Sequence, residues 1–296
     1  MPPFLNFPNE VEDGKTDDDD ITYTLRLSWD LNPNMSAYAG VSTGFKASSW
    51  NLSRDSRPLA SDIPALEAAG LTVPNLTAGT RFAGPEESIV YEVGLKGAYE
   101  SLRFNLAVFA QEIDGFQSNV FSGTGFNLAN AGKQSVDGVE LDLNWSPIDG
   151  MVLSFAATYL DPLYDEFEGA LGVDGPTDLS GETPAGIPEL STTTAVSYNF
   201  QAGAWAAGYV RLEHVYEDEV QVVDNVPASV ASREVNTFNA SMGLTFDNGV
   251  VLNLWGRNIN NDEYLQSAFP AVAQEGSFSG YPNTPRTYGL TATYNF

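Results

Sequence analysis

Cysteine is absent from the 296 residues, which excludes thiol nucleophiles, thiolate metal sites and disulfide staples. Histidine occurs once, at His214. Basic residues are scarce: 13 Lys plus Arg face 39 Asp plus Glu, a net charge of −26 at pH 7. A phosphate backbone would be repelled by that balance, so nucleic acid is not a partner. No run approaches eighteen uninterrupted apolar residues, so no transmembrane helix is encoded. If the chain meets lipid, it does so through strands.

What is present is alternation. In the last ten residues Tyr288, Leu290, Ala292, Tyr294 and Phe296 share one face, and Thr287, Gly289, Thr291, Thr293 and Asn295 the other. About ten residues is also the length of a tilted strand that crosses a bilayer. The pattern recurs upstream. Tyr23, Leu25, Leu27 and Trp29 oppose Thr22, Thr24, Arg26 and Ser28; Tyr91, Val93 and Leu95 oppose Glu92, Gly94 and Lys96. Phe104, Leu106 and Val108 oppose Arg103 and Asn105, and Val139, Leu141, Leu143 and Trp145 oppose Glu140, Asp142 and Asn144. Burying Glu140 and Asp142 in a dry core is costly, whereas facing them into a wet lumen is cheap. Arg26, Glu92, Lys96, Arg103, Glu140 and Asp142 are therefore the candidate lumen-facing residues.

The strands predicted this way run near 21–29, 35–46, 88–97, 102–117, 134–145, 151–160, 189–200, 204–217, 235–246, 250–259 and 285–296. They number roughly eleven. Tight turns (Asp30 to Asn34, Ala98 to Ser101, Ser146 to Gly150, Gln201 to Gly203, Asp247 to Gly249) alternate with long connections, as in membrane barrels. The longest connection, Asn51 to Pro85, is functional or poorly ordered on length alone. Trp29, Tyr99, Trp145, Tyr198, Trp205 and Phe246 cluster at the tight turns and read as an interfacial girdle. The whole chain, residues 1–296, reads as one all-β unit: an antiparallel up-and-down transmembrane barrel, incomplete at roughly half its strands. Met1-Pro2-Pro3-Phe4 has neither a basic n-region nor an apolar h-region, so the expectation is that the chain begins inside a longer protein.

Motifs for chemistry are weak. Gly40-Val41-Ser42-Thr43-Gly44 fits the G-x-S-x-G nucleophile elbow, but lies inside a strand pattern with no amphipathic helix after it. His214, near Glu213, Tyr216, Glu217 and Asp218, reads as a surface or lumen histidine rather than a metal ligand. Asp17 to Asp20 read as a solvated loop. No catalytic, cofactor-binding or metal residues are assigned, and the chain is not expected to be an enzyme.

Local phrases in order resemble the C-terminal half of the TonB-dependent receptor barrels of Gram-negative outer membranes. They are Tyr38 with Ser42-Thr43-Gly44-Phe45-Lys46, Pro85-Glu86 leading to Tyr91-Glu92-Val93-Gly94-Leu95-Lys96, and Asn130-Ala131-Gly132-Lys133. Gly138-Val139-Glu140-Leu141, Trp255 to Asn258 with Tyr264, and Pro285-Arg286-Thr287-Tyr288-Gly289 running to Phe296 complete the series. The resemblance implies a barrel of about 22 strands with a plug in its lumen. It also implies uptake of a scarce nutrient (siderophore, cobalamin or glycan) powered by the TonB complex. Outer-membrane lipid would surround the barrel, and Tyr288, Leu290, Tyr294 and Phe296 would form the closing strand and its membrane-assembly signal. The plug, the TonB box and half the strands are not in this sequence, so contact with the TonB complex is expected through an N-terminal part that is missing here. A passive porin-like channel, or a soluble or surface β protein binding glycans or proteins, are the competing readings.

Overall fold

The computed structural model describes residues 15–50, 64, 68, 82–121, 126–130, 132–271, 274 and 276–296. Eleven strands form one antiparallel sheet in which each pairs with its sequence neighbours. In chain order they are β1 (Thr24–Asn32), β2 (Met35–Lys46), β3 (Glu86–Ala98), β4 (Leu102–Asp114), β5 (Lys133–Trp145) and β6 (Met151–Glu166), then β7 (Leu190–Gln201), β8 (Ala206–Gln221), β9 (Ser232–Phe246), β10 (Val250–Arg257) and β11 (Thr287–Tyr294). Tight turns force hairpins, and hairpins force this up-and-down order. Among the described residues, β1 and β11 do not pair with each other and the sheet is open.

The register keeps one side chain parity across the sheet. Leu27 opposes Ala39, then Val93, Val108, Val139 and Tyr159 in successive strands. At the far end Val210, Met242, Leu254 and Leu290 continue the same face. This apolar face is bare: Leu27 is 65% exposed and Leu290 67%. Ladder hydrogen bonds with no apolar cover would leave a poor core in water, and they suit a wall with lipid on one side.

Strand ends depart from the period-two reading where side chains replace the ladder. Tyr23 precedes β1 because its amide donates to the Thr43 hydroxyl at 3.0 Å, while its carbonyl accepts from the Thr43 amide. Strand β6 runs six residues beyond Leu160 and through Pro162. The amides of Leu160 and Tyr164 donate towards Glu189 and Glu182, and that side is where β7 has already ended. The N–H that Pro162 lacks would have pointed into this gap, so the proline costs no ladder bond.

The predicted loops hold structure of their own. Hairpins Gln117–Phe121/Phe126–Asn130, Ala170–Gly172/Gly175–Thr177 and Leu265–Pro270/Phe278–Pro282 rise from the long connections. Most of the connection from Asn51 to Pro85 lies outside the described residues; its flanks meet as Ser49–Trp50 against Phe82–Ala83.

Candidate functional site

The face opposite the apolar one carries the charges. Strand pairing puts Arg26 opposite Gly40 and Gly40 opposite Glu92, while Lys96 stands opposite Ser36 and Asn105, and Asn105 opposite Asp142. Arg103 pairs with Asn144, and Glu140 with Ala107 and Thr158, on that same side. All six candidate residues thus share one polar face. Tyr288, Leu290 and Tyr294 lie on the other, and Phe296 ends the chain beyond β11, fully exposed.

Four pairs of opposite charge lie on the polar face, while Lys96, Arg103, Glu140 and Asp142 belong to none among the described residues. Arg26 reaches Glu92 at 4.0 Å, Lys46 reaches Glu86 at 3.1 Å, Arg211 reaches Glu213 at 2.7 Å and Arg233 reaches Glu217 at 3.1 Å. Such pairs on a wet wall contribute little energy each but fix where charge sits. Arg26 also lies 3.9 Å over the ring of Tyr38, a stack that strengthens the arrangement.

Polar groups also occupy the far end of the apolar face, beside the long connections. Lys133 bonds Glu112 at 2.6 Å, and Asp137 opposes Asp161. Thr192, Thr194 and His214 lie on this face too, so His214 points away from the charged wall. Its ring stacks on Phe238 at 4.4 Å and its Nε2 lies 2.9 Å from Asn236 Oδ1. Ser42 is on the opposite face of β2, six strands away in sheet order, so the nucleophile-elbow pattern has no base. Among the described residues no three His, Asp or Glu side chains converge to hold a metal. Asp18 instead accepts from the amide and hydroxyl of Ser48.

Above the polar face the long connections are tied to one another. Asp224 accepts from the Ala185 amide at 3.1 Å and the Tyr164 hydroxyl at 3.3 Å, and Asn225 donates to the Phe121 carbonyl at 2.8 Å. Residues 224 and 225 thereby join the connections after β4, β6 and β8. Burial pushes the Asp224 carboxyl above its ordinary range, with the Ala185 amide and the Tyr164 hydroxyl pulling it part of the way back. Tyr164, Phe167 and Ala170 form one apolar cluster beneath, and Val226, Ala231 and Ala268 a second.

A third tie went unread in the sequence. Asn258 is buried at φ 49°, and its side-chain amide donates to the Asp262 and Thr284 carbonyls at 2.8 and 3.1 Å. Asn260 and Asp262 then take ladder positions against β9, at the amides of Phe238 and Asn236. The signal was the Asn258-Ile259-Asn260-Asn261-Asp262 run, whose short amides and carboxylate satisfy backbone groups where a strand stops.

Comparison with known proteins decides the family. The model of the TonB dependent receptor-like β-barrel matches residues 4–259. The chain belongs to this TonB-dependent receptor family. Receptors of the family are β-barrel proteins of the Gram-negative outer membrane, and this chain forms a wall of such a barrel. A probable TonB-dependent siderophore receptor, PiuA of Acinetobacter baumannii, is 24% identical over 261 residues, covering 86% of this chain and 32% of its own length. The ferric yersiniabactin uptake receptor FyuA of Yersinia pestis superposes with a TM-score of 0.70 at 18% identity, over 96% of this chain and 38% of the receptor. The crystal structure of PiuA gives 0.64 at 21% identity, over 92% and 35%. These likenesses establish the fold, and the chain spans about a third of the length of the receptors it matches. Its relatives are transport receptors rather than enzymes.

Proposed function

We propose that this chain is the C-terminal part of an outer-membrane receptor that imports a scarce nutrient under TonB power, with a ferric siderophore as the first ligand class to test. In this reading the polar face lines the lumen, the apolar face meets outer-membrane lipid, and the tied connections form the extracellular mouth. Tyr288, Leu290, Tyr294 and Phe296 form the closing strand presented during assembly. The TonB complex acts through a part of the parent protein outside residues 1–296. The observation that carries the reading is the two-faced eleven-strand register within a TonB-receptor family match. A barrel wall needs apolar residues outside and hydrated ones inside, and every candidate charge falls on one side.

The test is uptake by the full-length parent in a Gram-negative host, with radiolabelled ferric siderophores of catecholate, hydroxamate and mixed chemistry. Import of at least one that stops when the TonB complex is deleted supports the proposal. Passive conductance that is independent of that complex would favour a porin-like channel instead.

A further inference from the structure

We propose that Glu213, on the polar face of β8, is the positioning residue of the last long connection: through Asn239 it holds residues 258–286 at the mouth from the lumen side. The inference rests on the reading of the polar face as the lumen and of the long connections as the mouth. Glu213 stands directly opposite Asn239 of β9. Its Oε2 accepts from the Arg211 guanidinium at 2.7 Å, and its Oε1 from the Asn239 side-chain amide at 3.1 Å. Asn239 Oδ1 in turn accepts from the Asn258 amide at 3.0 Å, just past Ala240 and Gly256, the last ladder pair of β9 and β10. Two further asparagines carry the line onward. The Asp262 amide donates to Asn258 Oδ1 at 2.7 Å, the Asn283 side chain donates to the Asp262 carbonyl at 2.9 Å, and Asn283 Oδ1 accepts from the Tyr264 amide at 3.1 Å. The hairpin Leu265–Pro270/Phe278–Pro282 follows at once, and its Ala268 packs with Val226 and Ala231 of the connection after β8.

This line of hydrogen bonds has a polarity. An ionised carboxylate only accepts, so Asn239 turns its NH2 towards Glu213 and its carbonyl oxygen towards Asn258. Arg211 occupies the other carboxylate oxygen and holds the group in that pose. A donor at position 213 would favour the flipped amide, which sets the Asn239 NH2 against the Asn258 N–H and leaves that backbone group without its acceptor. Arg211 and Glu213 remain partly open to the lumen, whereas Asn258 is buried. A cationic group in the lumen that competes with Asn239 for Glu213 therefore loosens the mouth connection, and by reciprocity a seated connection weakens the hold on that group. Glu213→Lys places such a donor there permanently.

The experiment is hydrogen exchange read by mass spectrometry on the full-length parent in lipid nanodiscs, in peptides covering residues 256–266 and, as a control, β3 to β6. Glu213→Lys should raise exchange in residues 256–266 about five-fold, the worth of one hydrogen bond, whereas Glu213→Gln should stay within about two-fold because its carbonyl oxygen still accepts from Asn239. Adding Asn239→Asp to Glu213→Lys puts an acceptor between the lysine and the Asn258 amide, and should return exchange towards the wild-type rate. A role in bulk stability alone would not be rescued by that second change. The proposal is overturned if Glu213→Lys leaves residues 256–266 unchanged, loosens β3 to β6 equally, is matched by Glu213→Gln, or is not relieved by Asn239→Asp. TonB-dependent uptake of the ferric siderophore panel by the wild-type parent is measured alongside. The expected exchange pattern without uptake supports this relay and sinks the transport reading; uptake without the pattern sinks the relay and leaves transport standing.

Discussion

Tyr38 on β2 lies across Gly94 on β3 so closely that a β-carbon at Gly94 would come within 2.5 Å of its ring. The glycine is a seat for the aromatic, and the Arg26 guanidinium lies 3.9 Å from the ring centroid. Gly94→Ala should therefore displace the ring, unstack Arg26 and cost about 1–3 kcal/mol. A lowered midpoint for loss of heat-modifiable mobility in the full-length parent would show this. Gly94→Ala combined with Tyr38→Ala should recover part of the loss, since the clash is then gone.

The tight turn at Gly249 makes a sharper demand. Its φ is 87°, and an added β-carbon would meet the backbone carbonyl of Asn295 at 2.2 Å, where no side-chain movement relieves it. The Asn295 amide in turn donates to the Gly249 carbonyl at 2.9 Å and holds the end of β11. Gly249→Ala should slow assembly into the outer membrane, read as accumulation of unfolded, protease-sensitive chain. Asp247→Ala beside it should leave assembly near the wild-type level.

Asp224 gives a pH dependence with a definite sign. Its carboxyl is raised by burial, so the closed connections bind a proton more tightly than the open chain does. Between the ordinary carboxylate value of 3.8 and the raised one, the stability of this region falls as pH rises. Above that window the whole penalty of the buried charge is present. Acidification through the window should increase protection of the Tyr164–Asp224–Ala185 region in hydrogen exchange, corrected for intrinsic rates. Asp224→Asn, which can keep a donor and an acceptor in place, should abolish that trend; a variant retaining the wild-type trend would contradict the assignment.

Asn258 should be as intolerant as a buried apolar residue. Asn258→Ala removes two side-chain bonds to the Asp262 and Thr284 carbonyls and keeps the strained φ, a loss of about 1–3 kcal/mol. Exchange protection should drop in residues 258–286 and remain in β3 to β6. A uniform drop over the sheet would mean the tie is not local.

The sequence showed the strands well because the period-two signal is local and each face is read from its own residues. Val139, Leu141 and Leu143 against Glu140 and Asp142 needed no partner to be sorted. Strand limits were harder, since Tyr23 is held by Thr43 and β6 passes Pro162 only because β7 ends beside it. Both depend on neighbours distant in sequence. The tie at Asp224 was not legible for the same reason, whereas that at Asn258 is local towards Asp262, where the Asn-rich run signals it, and distant only towards Thr284. His214 reads from sequence as a surface or lumen histidine, and only the β8 alternation of Val210, Leu212 and Tyr216 against Arg211, Glu213 and Glu217 assigns it, with Thr192 and Thr194, to the apolar face.

The lipid and water sides of the wall can be measured directly, because residues 1–296 contain no cysteine, with any cysteine elsewhere in the full-length parent first replaced. Single substitutions Val139→Cys, Glu140→Cys, Leu141→Cys, Asp142→Cys and Leu143→Cys along β5 would be probed in intact outer membranes with a water-borne and a lipid-soluble maleimide. Labelling should alternate strictly: water-borne reagent at positions 140 and 142, lipid-soluble reagent at 139, 141 and 143. Leu141→Arg should cost about 2–4 kcal/mol near the bilayer midplane while Glu140→Gln is tolerated. Water-borne labelling at 141 with lipid-side labelling at 140, or equal aqueous labelling at all five positions, would contradict the membrane-wall reading.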